Sequence, residues 1–210
     1  MVAPAALVDG MNRPRRPSLA LVGTGGTIAG AGTAPEGGMS AAYQSAVVGA
    51  DALVAGVPAL ARLAELRAEQ LLQIDSADFT DALLLRLARR VAELCARDDV
   101  DGVVITHGTD TMEESAYFLH LTVRSSKPIV LTGAMRPATA LAADGPANLL
   151  HAVAVAAHPS SAGRGVLVVT QPNVVAERGD DYLIDVEPGD QPALWRLASL
   201  IAAGVRVALS

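Results

Sequence analysis

Aromatic residues make up only 3% of this 210-residue chain: one tryptophan, three tyrosines and two phenylalanines. The chain is 51% hydrophobic, so its core must be built from alanine, valine and leucine. Small side chains packed closely suit helices layered on a sheet. Cysteine is almost missing. Cys95 is the only one, which excludes an intrachain disulfide, and its apolar helical setting reads as a buried, inert thiol. Lysine also occurs once, as Lys127. There is no excess of positive charge: the net charge is -6 and the pI about 5.1, and the one basic run is "RPRRP" at 13–17. A broad nucleic-acid-binding surface is thereby excluded. No apolar run reaches the roughly 18 residues of a membrane span. The N-terminus places its charges after its short apolar segment, the reverse of a secretory signal. A cytoplasmic location without membrane partners is the expectation.

What is present is an alternation. "LALVG" (19–23), "QLLQI" (70–74), "GVVIT" (102–106), "PIVLT" (128–132) and "GVLVV" (165–169) read as buried strands. Residues 80–97, 112–123 and 146–158 carry helical periodicity between them, and 51–66 is helix-like but interrupted at Pro58. Asp110 and Glu113 have the spacing of a capping box, and Pro146 behind Asp144 and Gly145 is a first-turn proline. The prediction is an α/β fold: a mostly parallel sheet with right-handed crossovers and helices on both faces, in three layers. The expected organisation is a flexible leader over 1–17, with Met11 as an alternative start, then one α/β domain over 18–170. A divergent tail over 171–210 follows, with a helix at 192–203 and a strand at 205–209, and no second domain.

Ligands of such sheets bind beyond the carboxyl ends of the strands. Four polar stretches lie there: "TGGTIAG" (24–30), "DSAD" (75–78), "HGTDTMEE" (107–114) and "GAMRPATALAADGP" (133–146). In the first, Gly25 and Gly26 allow positive φ and could turn backbone N–H groups toward an anion. The spacing is neither that of a dinucleotide fingerprint nor that of a Walker loop, and a plain structural turn is the competing reading. In the third, Thr109 or Asp110 caps the next helix, yet the six polar or glycine residues from Thr106 to Thr111 exceed what capping needs. A fixed, partly exposed Asp110 would suit a substrate ammonium. His107 reads as a packed, hydrogen-bonded histidine rather than a base, and no metal-ligand spacing is present. Ser76 reads as a turn residue or a carboxylate donor, Asp75, Asp78 and Asp81 as caps or an acidic edge, and Tyr43 as core filler or the phenol of a mobile lid.

Taken together, "TGGTIAG", "ITHGTDTMEESAYFLHLTV" and "KPIVLTGAMRPATALAADGPANLLHAV" resemble the bacterial-type L-asparaginase family in composition, order and spacing, over about residues 18–170. The resemblance implies hydrolysis of L-asparagine to L-aspartate and ammonia, with no cofactor and no metal. By motif, Thr27 is the nucleophile that forms an acyl-enzyme, Tyr43 the lid tyrosine that assists it, and Thr109 the second catalytic threonine. Asp110 would hold the substrate α-ammonium, Ser76 its α-carboxylate, and the backbone near Gly26 and Ala134 would lie by the carboxamide. The implied partner is a small-molecule amino-acid amide, and the implied assembly a homo-oligomer. The chemistry agrees with the residues: a threonine hydroxyl needs activation, and a zwitterion needs separate anchors for its two charges.

Two departures stand beside the resemblance. The family's relay lysine, expected after the "VLVV" strand, has no counterpart, because Lys127 matches the lysine before "PIVLT". From about Pro172 the sequence stops resembling the family, with Arg178 a last matching residue. The abruptness of the change favours a fragment or frameshifted asparaginase over a divergent enzyme with another base. The alternative functions are an impaired relative that binds aspartate, asparagine or partners, and a glutaminase or amidotransferase-type amidase.

Overall fold

The computed structural model describes residues 15–32, 44–170 and 173–176. Most of the expected leader, Tyr43 and most of the expected tail lie outside the described residues.

Among the described residues six strands form one sheet in the order β2-β1-β3-β4-β5-β6. These are β1 (Ser18–Gly25), β2 (Glu65–Ile74), β3 (Gly102–Thr106), β4 (Ile129–Thr132), β5 (Val166–Thr170) and β6 (Asn173–Ala176). The first five are mutually parallel, and β6 runs antiparallel to β5 at the edge. Among the described residues five α-helices connect them: α1 (Ala50–Ala55), α2 (Leu60–Leu63), α3 (Asp81–Cys95), α4 (Met112–Thr122) and α5 (Gly145–Ala157). The expected break at Pro58 falls between α1 and α2. The helical reading of 51–66 ran two residues too far, since Glu65 and Leu66 open β2.

β2 is twice the length the sequence suggested, and the reason lies in its position. It is an edge strand whose first half carries Glu65, Arg67 and Glu69, polar residues that hide a strand from a search for buried apolar runs. Glu69 receives a two-pronged ion pair from Arg90 of α3, with Nε to Oε1 at 2.7 Å and Nη2 to Oε2 at 2.6 Å. That pairing ties the edge to the helix layer.

Period-two alternation sorts the core into two faces. Leu19, Leu21, Val104, Val130 and Leu167 point to one face, where Ala50, Leu60, Leu149 and Val153 of α1, α2 and α5 cover them. Ala20, Val22, Val103, Ile105 and Leu131 point to the other, under Leu87 and Val91 of α3 and Ala116 and Leu119 of α4. The expected three layers are therefore present.

One connection departs from expectation. The steps β3 to β4 and β4 to β5 run in the same direction across the sheet, yet α4 covers one face and α5 the other. The two connections must have opposite hands. β1-α1-α2-β2 and β2-α3-β3 share the hand of β3-α4-β4, so three crossovers take the preferred right hand and β4-α5-β5 is left-handed. The chain accomplishes this with residues 133–144, a long loop passing over the carboxyl end of the sheet.

Leu131 is fully buried in the centre of one face, whereas Leu141 in that loop is 94% exposed. Leu131→Ala is expected to cost about 2–5 kcal/mol in urea unfolding, and Leu141→Ala about 0.5 kcal/mol or less.

Candidate active site

The carboxyl ends of β1 and β3 flank the point where strand order reverses, with β2 built on one side of β1 and β3 to β5 on the other. There the first helix and the next crossover diverge to opposite faces, which makes this the point where such sheets bind their ligands. "TGGTIAG" and "HGTDT" stand on its two sides.

Gly25 and Gly26 adopt φ values of 112° and 74°, the left-handed freedom the sequence suggested. Their spacing to neighbours is equally demanding. A Cβ on Gly26 would lie 2.4 Å from the Cα and N of Gly108, and one on Gly108 would lie 2.4 Å from Ser76 Oγ. Backbone thus meets backbone at this seam, and no side chain fits. The Gly26 N–H donates to Ile74 O at 3.0 Å, so it is engaged within the sheet rather than turned to a ligand. Thr27 opens a short 3-10 turn (Thr27–Ala29) and is half-buried between buried neighbours.

Thr109 follows Gly108 as Thr27 follows Gly26, so the two threonines flank one seam. Ser76 is 1% exposed, in a 3-10 turn (Ser76–Asp78) after β2. Its Oγ accepts the Asp110 N–H at 3.2 Å, and its carbonyl accepts the Thr111 hydroxyl at 2.9 Å. The Ser76 O–H is left to donate. The Asp110 side chain is exposed. The capping box drawn between Asp110 and Glu113 is not formed: α4 begins one residue later, with Thr111 at its N-cap and no side-chain cap bond. Ser76 draws the backbone of Asp110 and the hydroxyl of Thr111 toward β2 instead. Asp75 does cap, accepting the Ala77 N–H at 3.1 Å.

Ala134 joins the same region. A Cβ on Gly133 would meet Thr109 Cγ2 at 3.3 Å, and one on Gly145 would meet Ile28 Cγ1 at 3.0 Å and Ala134 Cβ at 3.5 Å. The loop over 133–144 is further tied to the turn after Thr27 by Ala138 N–H to Gly30 O at 3.1 Å and by Gly32 N–H to Thr139 Oγ1 at 2.9 Å. Threonines brace the floor below: Thr24 Oγ1 donates to Thr106 O at 2.8 Å and Thr132 Oγ1 to Val169 O at 2.7 Å. Thr27, Ser76, Thr109, Asp110 and Ala134, from four separate strand ends, therefore converge. Gln44 pairs with Ala31 next to this turn, and Tyr43 lies outside the described residues.

His107 is fully buried, as a packed histidine should be. Its Nδ1 lies 2.7 Å from Gly108 O and its Nε2 3.0 Å from Ser115 Oγ. The Phe79 ring lies 4.6 Å away, centroid to centroid. A neutral ring satisfies both contacts, donating from Nδ1–H and accepting at Nε2. Burial pushes its pKa down, and the Gly108 carbonyl offsets only part of that. Among the described residues no group of three His, Cys, Asp or Glu comes together as metal ligands. No helix among them is long and apolar enough to cross a membrane.

The family model for the N-terminal domain of asparaginase matches residues 18–179. The chain belongs to the asparaginase family. It is 46% identical to a glutaminase-asparaginase of Pseudomonas fluorescens biotype A over 89% of this chain and 51% of that protein. It is 47% identical to L-asparaginase 2 of Escherichia coli K12, over 83% of this chain and 49% of that protein. The crystal structure of a probable cytoplasmic L-asparaginase from Campylobacter jejuni superposes with a TM-score of 0.75 at 46% identity, covering 78% of this chain and 49% of that one. The chain spans about half the length of the relatives it matches, and the asparaginase fold of that half is the one described above.

The lowered pKa of His107 has a consequence for stability. The unfolded chain binds a proton near the ordinary histidine value of about 6.5, where the folded protein does not. The stability from the neutral ring is thus complete above that value and is lost as pH falls through the lower, folded one. The unfolding free energy from urea titrations between pH 7.5 and 5 should fall more steeply for wild type than for His107→Gln, by up to about 1.4 kcal/mol per pH unit.

Proposed function

We propose that this chain is the nucleophile-bearing domain of an asparaginase-type amidohydrolase that cleaves L-asparagine through a threonine acyl-enzyme. The observation that carries it is the convergence of Thr27, Ser76, Thr109, Asp110 and Ala134 at the strand-order switch point. In this reading Asp110 takes the α-ammonium and the Ser76 hydroxyl donates to the α-carboxylate, so the side-chain amide extends toward the seam between Gly26 and Gly108. Thr27 Oγ attacks the carboxamide carbon, its proton leaves with the departing nitrogen as ammonia, and water then cleaves the resulting ester. Thr109, on the other side of the seam, serves as the second threonine and Tyr43 as the lid phenol. Glutaminase-asparaginases among the relatives support glutamine as a second substrate of the same class. A homo-oligomer and a cytoplasmic location belong to the same reading, the latter supported by the likeness to a probable cytoplasmic asparaginase.

A specific observation favours a second reading. Lys127 precedes β4, so it sits at the amino end of the sheet, away from the site, and its Nζ donates to Arg97 O. It does not serve as the base of a relay at Thr109. A domain that binds the amino acid without turning it over is the corresponding alternative.

Ammonia release from L-asparagine separates the two. Wild type is expected to turn over and Thr27→Ala to lose several orders of magnitude. Equal rates above blank would remove Thr27 from the mechanism. Absent turnover with calorimetric binding of L-aspartate that Asp110→Ala abolishes would establish the binding domain instead.

A further inference from the structure

We propose that Asp144 and Asn148, at the start of α5, are positioning residues that fix the two peptide planes on either side of Ala134 and so aim its carbonyl at the substrate carboxamide. The proposal rests on the amidohydrolase reading above.

Asp144 occupies the N-cap position of α5, yet its side chain makes no cap bond to that helix. Its carboxylate turns back along the chain instead. Oδ2 accepts the N–H of Met135 and Oδ1 the N–H of Arg136, both at 2.9 Å. Asn148, one helical turn on and 1% exposed, donates from Nδ2 to Gly133 O at 2.8 Å and to Asp144 Oδ2 at 3.3 Å. A helix start has thus given up a side-chain cap in favour of holding a loop.

The groups held are the ones that matter for Ala134. A trans peptide directs its C=O and its N–H in opposite directions. The peptide joining Ala134 to Met135 has its N–H drawn to Asp144, so its carbonyl, that of Ala134, faces away from the carboxylate. The preceding peptide has its Gly133 carbonyl drawn to Asn148, which directs the Ala134 N–H away from that side. Asp144 and Asn148 thereby determine both planes around one Cα. Ala134 itself is buried beside Gly145, in the core cluster that also holds Ile28, the residue after Thr27. This region has the most need of such a hold, because residues 133–144 form the crossing of the left-handed connection. A carbonyl accepts hydrogen bonds only, so its partner is the carboxamide NH2 group of the substrate.

This chemistry makes the test selective. Asp144→Asn keeps one acceptor oxygen but sets an NH2 group against the second backbone N–H. The carbonyl then loses its aim, which matters for an amide substrate and not for one lacking the N–H. L-Asparagine and the β-methyl ester of L-aspartate are compared on wild type and Asp144→Asn, as kcat and KM for each. The expected result is a fall in kcat of about tenfold or more for L-asparagine, at little changed KM, and less than about threefold for the ester. Equal falls for both substrates would show a merely structural role and overturn the proposal, as would no fall for either. A wild type inactive on both would overturn the amidohydrolase reading, and the proposal with it. Should Asp144→Asn fail to fold, Asp144→Ser, whose hydroxyl accepts from one of the two amides, takes its place in the same comparison.

Discussion

The contact between Gly26 and Gly108 is the constraint on which the site depends. A Cβ on Gly26 would run into the backbone of Gly108, so the ends of β1 and β3 can approach only because Gly26 lacks a side chain, and a Cβ on Gly108 would run into Ser76. That approach places Thr27 and Thr109, each one residue further along, on opposite sides of a single seam. Gly108 against Ser76 extends the contact to the end of β2, and Gly133 against Thr109 extends it to the end of β4. Four strand ends are thus bound into one surface by the absence of side chains as much as by their presence.

Beneath that surface the sheet supplies rigidity. Its strands are buried on both faces by interlocking valine, leucine and isoleucine, and the two helix layers never compete for the same residues. The carboxyl ends, where a parallel sheet leaves its last backbone groups to find partners, are closed by Thr24 and Thr132 bonding to neighbouring strands and by the His107 N–H bonding to Thr132 O. In the proposed reading Thr27 attacks from a short 3-10 turn, and such a nucleophile needs this kind of floor, since small displacements of the reacting groups weaken acyl transfer steeply.

Much of the fold was legible because local composition and global position agree. The five parallel strands were found from apolar runs, and α3, α4 and α5 from their periodicity, since each segment buries the face its pattern exposes. What escaped had a physical reason in each case. The first half of β2 is polar because it lies at an edge, and β6 is a four-residue antiparallel addition to the opposite one. The Asp110–Glu113 capping box failed because Ser76, distant in sequence, draws on the backbone of Asp110 and the hydroxyl of Thr111 first. The hand of the β4–β5 connection has no local signature at all.

The sequence by itself determined that strands and helices alternate, that polar residues gather after each strand, and that Thr27, Ser76, Thr109, Asp110 and Ala134 lie on those stretches. Periodicity and turn chemistry act within a few residues, so they are readable along the chain. Only the tertiary structure decided that the stretches after β1 and β3 face each other at the reversal of strand order, that the Gly26 N–H is taken up by Ile74, and that Asp144 serves a loop rather than its own helix. Those outcomes follow from which strand pairs with which, and from contacts that close only when segments far apart in the chain are packed together.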